Sequence, residues 1–242
     1  MRQQWQKAIE DFNRVLAINP DSTESLVLRT QALQLSGNLK AALEGWAEVE
    51  NREGESVGIF YNRGNIHFSM GDLKGAIAEW TKAINLAPEE AVLYANRGVA
   101  HGRLGEWDSA VADLEKAIKL NPEEGLTYNS LGYIYYQMKN YPKAIACYTQ
   151  ALARVSEDPM IYFNRANAYR ESQKITAALS DFTKSIELAP DYMEAYNNRG
   201  SLHLALADYD AAIKDFSRAI QINPKYSTAY HNRGNIYFNR GD

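Results

Sequence analysis

The residues of this chain whose types could do chemistry are four histidines, a single cysteine and a string, Asn-Arg-Gly, that occurs four times. A metal site needs several nitrogen, sulfur or carboxylate ligands converging at fixed spacing, and no two histidines stand at a ligand spacing on one helix. Cys147 has no adjacent histidine and no helix-start setting of the kind that activates a thiolate, and as the only cysteine it excludes an intramolecular disulfide. The glycines recur at structural positions rather than in a phosphate-cradling motif. The chain is therefore expected to be no enzyme, with no catalytic residue, no metal and no cofactor. Asparagine is different: its amide both donates and accepts, so a regular row of asparagines can pair with the backbone of an extended peptide whatever its side chains.

Composition sets the frame for that chemistry. Apolar residues make up 45% of the 242, enough for a large core, and the 16 tyrosines outnumber the 7 phenylalanines, which suits rings that are half packed and half wet. The net charge of −4 is spread along the chain with both signs interspersed, which argues against a nucleic-acid partner. No stretch approaches the roughly 18 apolar residues of a membrane span, and the opening MRQQWQKAIEDF lacks the apolar core of a signal peptide. Together with the lone cysteine this points to the cytoplasm, unless the chain is a fragment that has lost a targeting signal.

The elements that position the asparagines follow from a repeat. Asn62-Arg63-Gly64, Asn96-Arg97-Gly98, Asn198-Arg199-Gly200 and Asn232-Arg233-Gly234 are separated by 34, 102 and 34 residues. Laid out in rows of 34 with Thr23 at position 1, the chain gives full rows at 23–56, 57–90, 91–124, 125–158, 159–192 and 193–226. Residues 1–22 are then a lone second helix and 227–242 a lone first helix of one continuous array spanning 1–242. Position 20 is alanine in every row, from Ala8 through Ala42 to Ala212, and position 8 is Gly64, Gly98, Gly132, Gly200 and Gly234, changing only to Thr30 and Ala166. Bulky residues at position 24, such as Trp46, Trp80 and Phe216, fill what the small ones leave. Apolar positions spaced by three and four make each row two amphipathic helices. Gly37-Asn38, Gly71-Asp72 and Gly241-Asp242 read as the turn between them, and Pro20, Pro88, Pro122, Pro190 and Pro224 close the second helix. Pro142 and Pro159 sit where a helix begins. The row 23–56 departs furthest, with Thr30 for glycine and Gly54 for proline, so irregular geometry is expected from Asn51 to Gly58.

The period of 34, small residues at 8 and 20, aromatics at 4 and 24 and proline at 32 resemble the tetratricopeptide repeat family along the whole chain. The resemblance implies an all-α, right-handed superhelical solenoid of helical hairpins, with an inner wall built from first-helix positions 2, 5, 6, 9, 12 and 13. Position 7 departs from the family's apolar preference: it is arginine at Arg29, Arg63, Arg97, Arg165, Arg199 and Arg233. Position 23 matches it with Glu79, Asp113, Asp181 and Asp215, whereas Leu131 is matched by Cys147. An arginine fork bonded to a carboxylate between the two helices of a hairpin is expected, broken where Arg29 faces Gly45. His67, His101 and His203 share position 11 with Leu33, Tyr135 and Tyr169 and are expected to substitute in the core.

On the implied inner wall, position 6 is Asn62, Asn96, Ser130, Asn164, Asn198 and Asn232, position 9 adds Asn65, Asn167 and Asn235, and position 5 adds Asn129 and Asn197. This resembles the asparagine ladder in the repeat domain of O-linked N-acetylglucosamine transferase, which grips extended peptide. The alternative is that each asparagine bonds a neighbouring first helix and orients the stack. Tyr61, Tyr133, Phe163 and His231 complete the candidate groove, whose partner would be an extended peptide or helix with apolar side chains. Position 5 holds no lysine, so the carboxylate clamp of some family members is not expected. Besides this scaffold, two other roles fit the sequence: a self-associating architectural module and a targeting domain of a larger enzyme or assembly factor. In the self-associating role Trp5, Ala8 and Phe12 of one molecule would pack on Tyr230, Gly234 and Tyr237 of the next.

Overall fold

The computed structural model describes residues 2–240, which lie in helices or the short turns between them. The Gly241-Asp242 turn lies outside the described residues. Fourteen helices occur among the described residues: α1 (Arg2–Ile18), α2 (Thr23–Ser36), α3 (Leu39–Glu53), α4 (Val57–Ser69), α5 (Leu73–Leu86), α6 (Ala91–Arg103), α7 (Trp107–Leu120), α8 (Gly125–Gln137), α9 (Tyr141–Arg154), α10 (Pro159–Glu171), α11 (Ile175–Leu188), α12 (Met193–Ala205), α13 (Tyr209–Ile222) and α14 (Ser227–Arg240). The chain is an all-α solenoid of paired helical hairpins, packed as two compact units, Met1–Asn121 and Pro122–Asp242. In the first unit α2 pairs with α3, α4 with α5 and α6 with α7; in the second α8 pairs with α9, α10 with α11 and α12 with α13.

Each pair is held by a contact that only small residues permit. Ala42, Ala76, Ala110, Ala144, Ala178 and Ala212 are all fully buried. At position 8 the glycines face the ring or branch at position 24. A Cβ on Gly64 would lie 2.4 Å from Nε1 of Trp80, on Gly98 2.9 Å from Cγ of Leu114, on Gly132 2.7 Å from Cε1 of Tyr148 and on Gly200 3.0 Å from Cε1 of Phe216. The row 23–56 reaches the same closeness with the roles exchanged. Thr30 stands where the other rows have glycine or, at Ala166, alanine, and the glycine moves across to Gly45, whose Cβ would meet Oγ1 of Thr30 at 2.2 Å.

Position 15 turns the chain between the two helices in the left-handed region. Gly37, Gly71 and Gly105 occupy it with φ of 89°, 81° and 77°, but Lys139, Gln173 and Ala207 do so as well, at 59°, 58° and 59°. A side chain there costs about 1–2 kcal/mol relative to glycine. The caps contribute in return: Asp72, Asn140 and Asp208 each accept a backbone N–H from the first turn of the helix that follows. Second helices α5, α7, α11 and α13 all end two residues before a proline. Helix α3 has none; it extends to Glu53 and stops at Gly54, φ 85° and ψ −175°, so the turn expected to be irregular is unlike the extended turns of the other rows. The two rows without proline at position 32 share another feature that the sequence reading missed. Each carries arginine at position 30, and Arg52 and Arg154 donate to the carbonyls of Pro20 and Pro122 in the row before.

The arginine forks form as expected. Arg97 grips Asp113 at 2.7 and 2.8 Å, Arg165 grips Asp181 at 2.7 and 2.9 Å, and Arg199 grips Asp215 at 2.8 and 2.7 Å, while Arg63 reaches Glu79 at 3.1 Å. The carboxylates are buried, and the bonds to Asp113 and Asp215 hold the Arg97 and Arg199 guanidinium groups above their usual range against the opposing effect of burial. A third leg ties each fork to the preceding row. Nη1 of Arg97, Arg165, Arg199 and Arg233 donates to the position-25 hydroxyls of Thr81, Thr149, Thr183 and Ser217 at 3.0, 3.1, 3.0 and 2.9 Å. Arg63, whose preceding row has Ala47 there, takes Glu50 instead. The guanidinium groups of Arg63, Arg97, Arg165 and Arg199 thus each bracket their own hairpin to the one before.

Removing one side of such a shielded pair leaves a buried charge, so Asp181→Ala is expected to destabilise the protein by about 3 kcal/mol. Adding Arg165→Leu should return part of that loss in thermal unfolding. Equal losses in the single and double variants would refute the pairing.

Candidate functional site

The asparagines at position 6 lie on the first helices, half-buried, and all of them except Asn62 are held by an amide of the first helix before. In the first unit Nδ2 of Asn96 donates to Oδ1 of Asn65 at 3.4 Å. In the second unit Asn164 donates to Asn129 at 3.2 Å, Asn198 to Asn167 at 3.0 Å and Asn232 to Asn197 at 3.1 Å. The acceptor is chosen by the preceding row. Where position 9 is asparagine, as at Asn65 and Asn167, it accepts; where position 9 is Tyr133 or Ser201, an asparagine at position 5, Asn129 or Asn197, accepts instead. This is an asparagine ladder, and its rungs run from helix to helix. The alternative reading, in which the amides orient the stack, is therefore realised in the geometry.

Those rungs leave capacity over. An amide has two N–H donors and a carbonyl oxygen, and Asn96, Asn164 and Asn232 each spend one N–H on the rung, with no hydrogen bond to their Oδ1 among the described residues. Asn198 is more fully committed, since its Oδ1 accepts from Asn197 at 3.4 Å. Asn62 and Asn167 turn back on their own helices, donating to the carbonyls of Gly58 and Phe163 at 2.8 and 3.0 Å. Asn235 is exposed and pairs with Nε2 of His231 at 3.1 Å.

The aromatic members divide. Tyr133 is 50% exposed and free for contact, and Tyr61 is half-buried against the core of the first unit. Phe163 is a core residue as much as a surface one, with its ring 5.7 Å from Phe182 and 4.9 Å from Tyr192. Burial pushes the Tyr192 hydroxyl up to about 12. Phe68, at position 12, carries the Arg103 guanidinium over its ring at 4.2 Å. In the first unit Tyr61, Asn62, Asn65 and Asn96 thus share α4 and α6, and in the second Tyr133, Phe163, Asn164, Asn167, Asn198, His231, Asn232 and Asn235 lie on α8, α10, α12 and α14.

The position-11 histidines do not act as the core substitutes expected of them. Their side chains are 16–23% exposed, and each faces the capping residue at position 16 of its own row: His67 with Asp72 at 2.8 Å, His101 with Glu106 at 2.5 Å and His203 with Asp208 at 3.5 Å. The bond from the Gly75 backbone N–H, with the neighbouring His67, holds the Asp72 carboxyl below its usual range. The signal was present in the sequence, because the rows with Leu33, Tyr135 and Tyr169 have Asn38, Asn140 and Lys174 at position 16 and no acid. A ring nitrogen needs a polar partner that tyrosine and leucine do not.

Among the described residues no group of histidine, cysteine, aspartate and glutamate side chains could hold a metal ion, and no helix is long and apolar enough to cross a membrane. Cys147 sits half-buried in the middle of α9, away from its N-terminus. At the terminal helices, Trp5 and Ala8 pack partly buried against the first unit's core and Phe12 is half-buried, while Tyr230 and Tyr237 are 45% and 38% exposed.

Models of the tetratricopeptide repeat match residues 91–124, 161–192 and 194–226, and a TPR repeat model matches 64–105 and 132–170. No curated protein matches the sequence. Among solved structures, the chain is similar to the C-terminal part of a TPR repeat-containing protein from Cytophaga hutchinsonii, at 20% identity and a TM-score of 0.75, over 95% of this chain and 94% of that one. It is similar to YrrB, described as a TPR protein with an unusual peptide-binding site, at 22% identity and a TM-score of 0.66, over 79% and 99% of the two chains. It is also similar to a chain of the APC/C Cut9-Hcn1 hetero-tetramer, at 17% identity and a TM-score of 0.73, where 96% of this chain spans 46% of that one. The 34-residue hairpins, the small-to-large contact inside each and these matches agree: the chain belongs to the tetratricopeptide repeat family.

Proposed function

We propose that the chain is a non-catalytic interaction scaffold that holds an extended peptide, or a partner helix, along the amide-lined face of the first helices within a unit. The observation that carries this reading is the set of half-buried amides, Asn96, Asn164 and Asn232, each fixed by one rung and each keeping a carbonyl oxygen and a second N–H. A fixed amide loses little freedom on binding, which favours affinity. Successive packed helices lie about 8–10 Å apart and an extended peptide rises about 3.3 Å per residue, so one rung meets about every third residue of a bound strand. Bonds of that kind read backbone rather than sequence. Tyr61 and Tyr133 then supply apolar contacts for the side chains between rungs, with Asn62, Asn65, Asn167, Asn198, Asn235, Phe163 and His231 as the rest of the lining. The peptide-binding site described for YrrB, a protein of the same fold, supports the reading.

The test is selection of random peptides of about 9 residues, long enough for about three rungs, on the wild type and on a variant with Asn164→Ala, Asn198→Ala and Asn232→Ala. Loss of at least about tenfold in enrichment is expected, with thermal stability reduced by no more than about 1 kcal/mol for each rung removed. Undiminished enrichment in a folded variant would contradict the proposal. A second reading is favoured by the exposure of Tyr230 and Tyr237 and by the space beside Gly234, where a Cβ would meet nothing within 4 Å. Trp5, Ala8 and Phe12 of a second copy fit there by the same small-to-large rule that operates within each hairpin. Sedimentation of the protein at rising concentration should then show head-to-tail oligomers that Tyr230→Ala disperses; a monomer throughout rules this reading out.

A further inference from the structure

Helix α14 is built as a first helix and α1 as a second helix, and each carries the half of a fork that the other lacks. Arg233, at position 7 of α14, is held as Arg97, Arg165 and Arg199 are. Its Nη1 donates to the hydroxyl of Ser217 in the preceding row at 2.9 Å, and its guanidinium carbon lies 5.7 Å from the Tyr230 ring centre, the distance of the other three from Tyr94, Tyr162 and Tyr196. In those three, Nε and Nη2 close on an aspartate. On Arg233, which is half-buried, the same two nitrogens have no partner among the described residues. On α1, Asn13 accepts from Nη1 of Arg29 at 3.4 Å, the link that Thr81 makes to Arg97, so α1 lies on α2 as a second helix lies on the first helix of the following row. In that register Ala8 takes position 20, Asp11 position 23 and Phe12 position 24, the set that Ala178, Asp181 and Phe182 form in their row. There all three are buried, whereas Ala8 and Phe12 are half-buried. The Asp11 side chain is 76% exposed, and its contact with Arg14 at 3.9 Å joins two wet side chains and contributes little.

We propose that α14 of one copy docks on α1 of a second copy as the first and second helices of a hairpin do, with Arg233 closing on Asp11 of the second copy. Charge and volume both select that occupant. A carboxylate fits the planar fork in two bonds, and Asp11 is spaced from Ala8 and Phe12 as the fork aspartates are from their own alanine and ring. Gly234, beside which a Cβ meets nothing within 4 Å, leaves the room that a position-24 ring takes in the other hairpins. The ion pair also fixes the register. Sliding α14 by one turn, about 5.4 Å, parts the two charges and carries Gly234 off the Phe12 ring. Because the two faces differ, each copy uses both, and association continues past the dimer. The inference rests on the self-associating reading and adds to it the contact that sets orientation; the amide-lined face takes no part.

The experiment is sedimentation equilibrium of the full chain at rising concentration, on the wild type, on Asp11→Arg, on Arg233→Asp and on an equimolar mixture of the two variants. The wild type is expected to form oligomers. Each variant alone is expected to need a concentration higher by about tenfold or more, since like charges then meet at the contact. The mixture is expected to associate again, because Arg233 of one variant finds Asp11 of the other and the reversed charges of the second contact also attract. Thermal unfolding at the lowest concentration checks that the variants are folded. Should Arg233→Asp unfold, Asp11→Arg at its exposed position carries the test. A wild type that stays monomeric overturns the self-associating reading and the fork with it. Oligomers indifferent to both variants, or a mixture that does not recover, overturn the fork alone.

Discussion

The two helices of every hairpin touch where one of them has almost no side chain, and the rest of the structure depends on that contact. A methyl group on Gly64 would lie 2.4 Å from the Trp80 ring and one on Gly200 3.0 Å from the Phe216 ring, so a side chain there forces the ring to shift. Closeness of this order buries the ring completely and brings the helix backbones near enough for short polar side chains to span the seam. An aspartate at position 23, with a single methylene, reaches the arginine at position 7 only because the helices are this close. The same constraint explains why a departure in the row 23–56 takes two residues, Thr30 and Gly45, since whichever side gains atoms the other must lose them.

From that contact the order of the stack follows. Arginine at position 7 reaches in two directions, to the carboxylate of its own hairpin and to a hydroxyl of the one before, and asparagine at position 6 adds an amide bond between first helices. Adjacent positions on one helix thus fix the hairpin internally and to its neighbour. The row 125–158 shows the set behaving as a unit: Leu131 replaces the arginine, Cys147 the carboxylate, and the row before it carries Glu115 rather than a hydroxyl at position 25. The consequence is a set of amides whose orientation is fixed by bonds within the protein.

The period, the helices and the forks were legible in the sequence because each rests on a narrow choice of residue types. Alanine at position 20 and glycine at position 8 are steric requirements, and an arginine matched by an acid is an electrostatic one. The features that escaped notice use residues at home in several settings. Thr81, Thr149, Thr183 and Ser217 look like ordinary surface residues of a helix until the fork of the following row is seen to rest on them. Lys139, Gln173 and Ala207 have no preference for the left-handed region and adopt it because the hairpin imposes it. The tyrosines and leucine at position 11 point to a core position, but the histidines there pair with Asp72, Glu106 and Asp208 and so stay partly exposed. In the candidate site, the sequence identified the amides but not which of them accept the rungs and which keep free capacity.

The claim that close approach at position 8 underlies this architecture is tested most directly by placing one methyl group at two equivalent glycines and measuring unfolding in denaturant. A Cβ on Gly200 would lie 3.0 Å from the Phe216 ring, whereas one on Gly234 has nothing within 4 Å. Gly200→Ala is expected to destabilise the protein by about 1–3 kcal/mol through overpacking, and Gly234→Ala to leave it unchanged or raise it by about 0.5–1 kcal/mol through helix propensity. Equal effects at the two positions would contradict the account.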